Sequence, residues 1–105
     1  MFARFLEMTV KPGMKPQLID KIRGEVLPIL KKYSGFIDVI PLEVETEAKV
    51  YAVSLWHDKL DAEKYDKENF AKVKAIYEPF LTMPLVVRLC KVDETIFKKA
   101  ISIAA

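Results

Sequence analysis

Residues 36–56, "FIDVIPLEVETEAKVYAVSLW", decide the fold. Two apolar-rich runs flank a short polar link. The first, residues 36–46, alternates, so that Phe36, Ile40, Leu42 and Val44 share a face with Asp38. "TEAK", residues 46–49, is a turn without glycine. The second run, residues 50–56, is apolar on both faces: Val50, Ala52, Ser54 and Trp56 on one, Tyr51, Val53 and Leu55 on the other. Two strands joined by so short a link read as an antiparallel hairpin.

Outward from the hairpin, each side adds one helix and one strand. "FARFLEMTV", residues 2–10, alternates. Phe2, Leu6, Met8 and Val10 form an apolar face interrupted only by Arg4; Ala3, Phe5, Glu7 and Thr9 form the other. "KPGMKP" breaks the strand, and Pro16 suits a first helical turn. Leu18, Ile22, Val26, Ile29 and Tyr33 then make one helical stripe. Pro28 should kink or break that helix, and Gly35 is placed to close it as a left-handed cap. After the hairpin, residues 57–81 carry a second stripe of Ala62, Tyr65, Asn69, Val73, Ile76 and Phe80, widened by Phe70 and Tyr77. Asp58 or Asp61 is its cap. "PLVVRLCKV", residues 84–92, is a last strand apolar on both faces, and residues 93–105 are a tail. The order βαββαβ is the ferredoxin-like arrangement: an α+β fold with a four-stranded antiparallel sheet and two helices on one face. The 105 residues form a single domain.

The totals exclude several functions. Seventeen basic residues against fifteen acidic ones leave a net charge of +2, evenly interspersed, which is no nucleic-acid surface. No apolar run approaches the length of a membrane span. "MFARFLEMTV" lacks the features of a signal peptide, and one cysteine makes no internal disulfide, so the expected setting is cytoplasmic. Cys90 reads as a small core or lining residue. One histidine and one cysteine give no metal site, and no phosphate-binding or serine-hydrolase motif occurs.

Trp56 and His57 are the chain's only tryptophan and histidine. Strand alternation sends them to opposite faces. Trp56 is either a core anchor or the wall of a pocket for a planar ligand, and His57 is either a solvated strand end or a base. Arg4, Glu7 and Arg88 are charges within apolar strands. They are edge or interface residues, or orienting groups for a ligand; Glu7 and Arg88 are candidates for a cross-strand pair.

"TVKPGM" (9–14), "LPILKKYSGFIDVIPLE" (27–43), "LWHDKLDAEKYDKE" (55–68) and "MPLVVRLCKV" (83–92) together resemble the antibiotic biosynthesis monooxygenase-like proteins of the dimeric α/β-barrel group. The resemblance implies a homodimer whose sheets form a barrel, and a cleft between sheet and helices that takes a quinol, an anthrone-type polyketide or heme. Trp56 matches a cleft-lining tryptophan of that family. Ala52 stands where polyketide-oxidising relatives have asparagine, and Leu6 where heme-degrading ones do. The second helix also lacks the heme-ligating histidine, which speaks against heme degradation. The expected function is cofactor-independent monooxygenation of an activated, quinol- or anthrone-like aromatic. The alternative is a non-catalytic dimer that binds a small apolar ligand or serves in a stress response. Trp56, Ser54, Ala52 and Leu6 are the candidate binding residues. Tyr65, Tyr77, Glu7 and His57 are the candidate proton acceptors or donors.

A homodimer also follows from the pattern itself. Helices on one side cover one sheet face, yet the second face offers Phe5, Ile37, Val39, Val53, Leu55 and Val86. The tail is expected on its own protomer or on the partner.

Overall fold

The computed structural model describes residues 1–96. Four strands, β1 (Phe2–Thr9), β2 (Phe36–Glu43), β3 (Lys49–Trp56) and β4 (Val86–Lys91), form one sheet in the order β2-β3-β1-β4. Every neighbouring pair is antiparallel. One layer of helices packs on it: α1 (Lys15–Lys21), α2 (Leu27–Leu30) and α3 (Lys59–Tyr77). This is the ferredoxin-like α+β arrangement. The tail beyond residue 96 lies outside the described residues.

The core fills the space between sheet and helices. Leu6, Met8, Val50, Ala52 and Trp56 face Leu18, Ile22, Val26, Leu30, Val73 and Tyr77, all buried. Asp58 caps α3 by accepting the Asp61 N–H at 3.0 Å.

Three local features depart from the sequence pattern. Pro28 locally breaks the α-helical pattern, as expected, but does not end the helix. Pro28 has no N–H to offer Gly24, and its ring crowds that carbonyl. The chain answers with a π-helical stretch, Ile22–Val26, in which the Leu27 N–H bonds back five residues to Ile22. The helix then resumes as α2. Gly35 is not a left-handed cap, since Gly13 alone among the glycines has a positive φ. Gly35 is needed for space: a Cβ there would lie 2.1 Å from Cγ of Asp61. Its carbonyl accepts the His57 N–H at 2.9 Å, which ties the first helix's exit to the start of α3.

The third departure is a bulge in β2. Phe36 pairs with Trp56, but Asp38 pairs with Leu55, leaving Ile37 as the extra residue. The bulge inverts the faces beyond it. Phe36 and Val39 pack on the core, whereas Ile40 and Leu42 go to the opposite face. The alternation that puts Phe36, Ile40 and Leu42 together, and Val39 on the open side, fails at this one residue.

Among the described residues nothing packs over the face away from the helices. Ile40 is 40%, Leu42 45% and Val86 41% exposed. Phe5 and Tyr51 pack ring to ring beside them, with centroids 5.0 Å apart. Glu7 lies on this face and pairs with Lys49 at 3.4 Å. It does not pair with Arg88, because the register sets Glu7 against Val86 and Phe5 against Arg88. Cys90 lies here too and is exposed, not a core residue.

The glycines give opposite expectations. Gly35→Ala lowers the stability measured by urea unfolding by about 1–3 kcal/mol, the cost of overpacking. Gly24→Ala, with nothing within 4 Å of its added Cβ, raises stability by about 0.5–1 kcal/mol.

Candidate functional site

Two cavities lie between sheet and helices, with Arg4 on the boundary of both. The larger is a cleft of about 240 Å³ beneath α3, on the β4 side. Phe2, Val87 and Leu89 form its sheet wall, and Ala62 and Phe70 its helix wall. Lys59, Glu63 and Asp66 supply its charged side. The smaller, of about 20 Å³, lies deeper, and Leu6, Ala52, Ser54, Tyr65 and Tyr77 are among its walls. That volume holds about one water molecule.

Strand register explains these positions. On β1, alternate residues from Phe2 to Met8 face the helices, so Arg4 is carried into the layer between them. It is 2% exposed. Its Nη1 donates to Oδ1 of Asp66 on α3 at 2.6 Å. Its guanidinium carbon lies 4.3 Å from the centroid of Phe70 and 5.3 Å from that of Tyr65. Such stacking offsets part of the desolvation cost of a buried cation. Nε and Nη2 have no hydrogen-bond partner among the described residues.

Trp56 is a packed anchor. It is fully buried and stacks on Tyr65 with centroids 5.1 Å apart. Phe36 and Tyr33 meet it edge-on at 5.5 and 6.0 Å. Its indole N–H donates to the Ser54 hydroxyl at 3.0 Å. The ring does not line the inner cavity itself but touches two residues that do, Ser54 and Tyr65. The structure thus gathers Leu6, Ala52, Ser54, Tyr65 and Tyr77 around one space and sets Trp56 behind it. Glu7 sits on the opposite sheet face, and His57 is exposed just beyond the end of β3.

The tyrosines share one electrostatic situation. Burial pushes the phenols of Tyr65 and Tyr77 well above the ordinary tyrosine range. For Tyr65 the nearby Arg4 charge opposes this without cancelling it. Burial raises Tyr33 as well, although Asn69 donates to its oxygen at 2.6 Å. At neutral pH these groups are protonated. They can donate a proton or a hydrogen bond to a ligand oxygen, but they are not bases.

Of the three charges the sequence sets in apolar strands, Arg4, Glu7 and Arg88, it is Arg4 that borders the cavities. Sequence reading missed Asp66 and the ring of Phe70. Asp66 lies one turn after Ala62 and next to Tyr65, where the α3 stripe meets its polar flank. Among the described residues no cluster of three or more histidine, cysteine or acidic side chains could hold a metal. No described helix is long and apolar enough to cross a membrane.

No protein-family model and no curated protein matches the sequence. Solved structures do match the fold. A monooxygenase from the gene ActVA-Orf6 of Streptomyces coelicolor, in complex with Nanaomycin D, superposes with a TM-score of 0.76 at 15% identity, covering 88% of this chain and 87% of that one. Rv0793 from Mycobacterium tuberculosis gives 0.70 at 14% identity, covering 89% and 94%. A structure described as an antibiotic biosynthesis monooxygenase gives 0.66 at 11% identity, covering 89% and 99%. The chain has the fold of the antibiotic biosynthesis monooxygenase-type structures.

The buried phenols set an alkaline limit. Unfolded tyrosine ionises at its ordinary value of 10.0, whereas folded Tyr65 and Tyr77 do not ionise until far higher. Their contribution to stability is therefore full below pH 10.0, falls as pH rises above it, and is lost by the time the folded phenols ionise. Urea midpoints measured from neutrality upward should show this decline, and Tyr65→Phe should make it shallower.

Proposed function

We propose that the chain is a small monooxygenase that oxidises an activated aromatic, quinol- or anthrone-like, without a resident cofactor. The cleft under α3 carries this reading: substrate-sized, walled by Phe2, Phe70, Val87 and Leu89, and bordered by a buried cation. The likeness in fold to a monooxygenase that holds Nanaomycin D supports it.

The chemistry asks little of the protein. The methylene of an anthrone-like substrate loses a proton to give a stabilised carbanion, for which Glu63 and Asp66 are the carboxylates at hand. The carbanion passes electrons to dioxygen, and a C–O bond forms. Protonation gives a hydroperoxide, which loses water as its O–O bond breaks and a carbonyl remains. Carbon gives up four electrons; one oxygen atom ends in the product and one in water. The carboxyl group formed in the first step returns its proton to the peroxide, since Tyr65 and Tyr77 line the inner cavity and not the cleft. Apolar walls keep water from the carbanion.

Oxygen uptake with a panel of hydroquinones and anthrones tests the reading. One dioxygen should be consumed per carbonyl formed from an anthrone, and Leu89→Trp, which fills the cleft from a half-exposed position, should abolish it. Uptake no faster than in buffer for every compound would leave the non-catalytic ligand-binding alternative.

The assembly belongs to the same proposal. The bare sheet face of Phe5, Ile40, Leu42, Tyr51, Val53 and Val86 is covered by a second copy, sheet against sheet. Burying such side chains is worth roughly 1.5–3 kcal/mol each before the cost of association. The cleft lies on the helix side and stays open in this dimer. Val53→Asp or Val86→Asp should give single chains in sedimentation at micromolar concentration, and Lys64→Asp on α3 should not. A wild-type chain that sediments as a folded monomer would overturn the dimer.

A further inference from the structure

Arg4 does more than an ion pair requires. Guanidinium carries five N–H donors. Nη1 meets Asp66, while Nε and Nη2 find no partner among the described residues. The pair is also lopsided: the Arg4 side chain is 3% exposed and that of Asp66 is 50%. A carboxylate half in water neutralises a buried cation incompletely. For folding alone, an apolar residue at this place on β1 would serve as well or better, since Phe2, Leu6 and Met8 share its face.

The surroundings specify what could complete it. Phe70 lies against the guanidinium, and apolar groups from β1, β4 and α3 wall the adjoining 240 Å³. This space is of the size of a flat molecule of about two or three fused rings. Arg4 is part of the wall of this space, and its two unpaired donors are buried within that wall. Guanidinium donors pair best with an oxygen that bears a full negative charge, because such hydrogen bonds are about twice as strong as neutral ones.

We propose that Arg4 is the anion-recognition residue of the cleft, and that its ligand is a planar aromatic held through an ionised oxygen, a phenolate, enolate or carboxylate. The inference rests on the reading of this cleft as the ligand site and narrows its substrate class. It assigns Arg4 two effects. The cation holds the ionised form of the ligand, and it makes a bound phenol or enol easier to deprotonate, which is the step that activates an anthrone or quinol toward oxygen. Asp66 competes with the ligand for the same guanidinium.

Binding measured without oxygen tests this apart from turnover. Calorimetry with 2-naphthoate and its neutral isostere 2-naphthamide should show the carboxylate bound about ten- to a hundredfold more tightly. Arg4→Met should erase the preference while naphthamide still binds, and should melt no lower than wild type. Asp66→Asn, at a half-exposed helix position, should tighten naphthoate severalfold. A second arm uses 4-nitrophenol, whose ionised form absorbs in the visible. Wild type should shift its titration to lower pH, and Arg4→Met should not. This arm separates phenolate from carboxylate recognition, and a positive result in either supports the proposal. Equal affinity for the two naphthyl probes with no nitrophenol shift would overturn it. So would an Arg4→Met chain that unfolds together with an Asp66→Asn chain of unchanged affinity, which would mark a structural ion pair. Naphthoate selectivity without oxygen uptake on any substrate would uphold the anion site and reject the monooxygenase reading, so the two failures are distinct.

Discussion

Around the indole of Trp56 four segments of the chain meet. Tyr65 brings α3, Tyr33 the end of the first helix, Phe36 the start of β2, and Ser54 the strand itself. Each contact is an edge or a stacked face at a distance where aromatic pairs attract beyond simple burial. The indole N–H, which would be costly if left bare, is satisfied within its own strand. The two helices and the sheet are thereby fixed relative to one another at one end. The space left between α3 and the β1–β4 edge is what remains once this corner is closed. The cleft is a product of where the aromatic cluster stops.

Most of the architecture was legible because it rests on period. Alternation in residues 2–10 and 50–56 and the stripes at Leu18–Tyr33 and Ala62–Phe80 need only local geometry to be read. Departures occur where one residue changes the count. The bulge at Ile37 cannot be seen in a pattern that alternates on both sides of it. The role of Gly35 depends on Asp61, twenty-six residues away and adjacent only after folding. The site was legible in part. Leu6, Ala52, Ser54, Tyr65 and Tyr77 do surround one space. Trp56 stands behind it, and Glu7 and His57 stand apart, because a residue's chemical type does not reveal how closely its neighbours pack.

The two sheet faces divide the work. The helix-side face carries a buried cation and a cleft, and its polar groups are held by α3. The other face is mainly apolar and carries the Glu7–Lys49 ion pair, with Arg88 and Asp38 also on it. In that pair the Glu7 carboxylate holds the Lys49 ammonium in its charged form, raising it above the ordinary lysine value. Glu7 and Lys49 thus balance each other, whereas the Arg4 charge on the helix face is left partly unbalanced.

The π-helical stretch before Pro28 has a consequence for phase. Leu18, Ile22 and Val26 recur every four residues, and on an α-helix that spacing drifts by about 40° per step. A wider turn, with more residues per revolution, rotates the stripe back. The stretch acts as a phase corrector, so that Ile29, Leu30 and Tyr33 arrive facing the sheet after a run of fours. Loss of one residue between Ile22 and Val26 would restore the regular helix and turn everything downstream by about 100°. Tyr33 would then leave the indole of Trp56, and the corner that sets the spacing of the two layers would open. A proline and a helical spacing that look like flaws when read one at a time compensate each other.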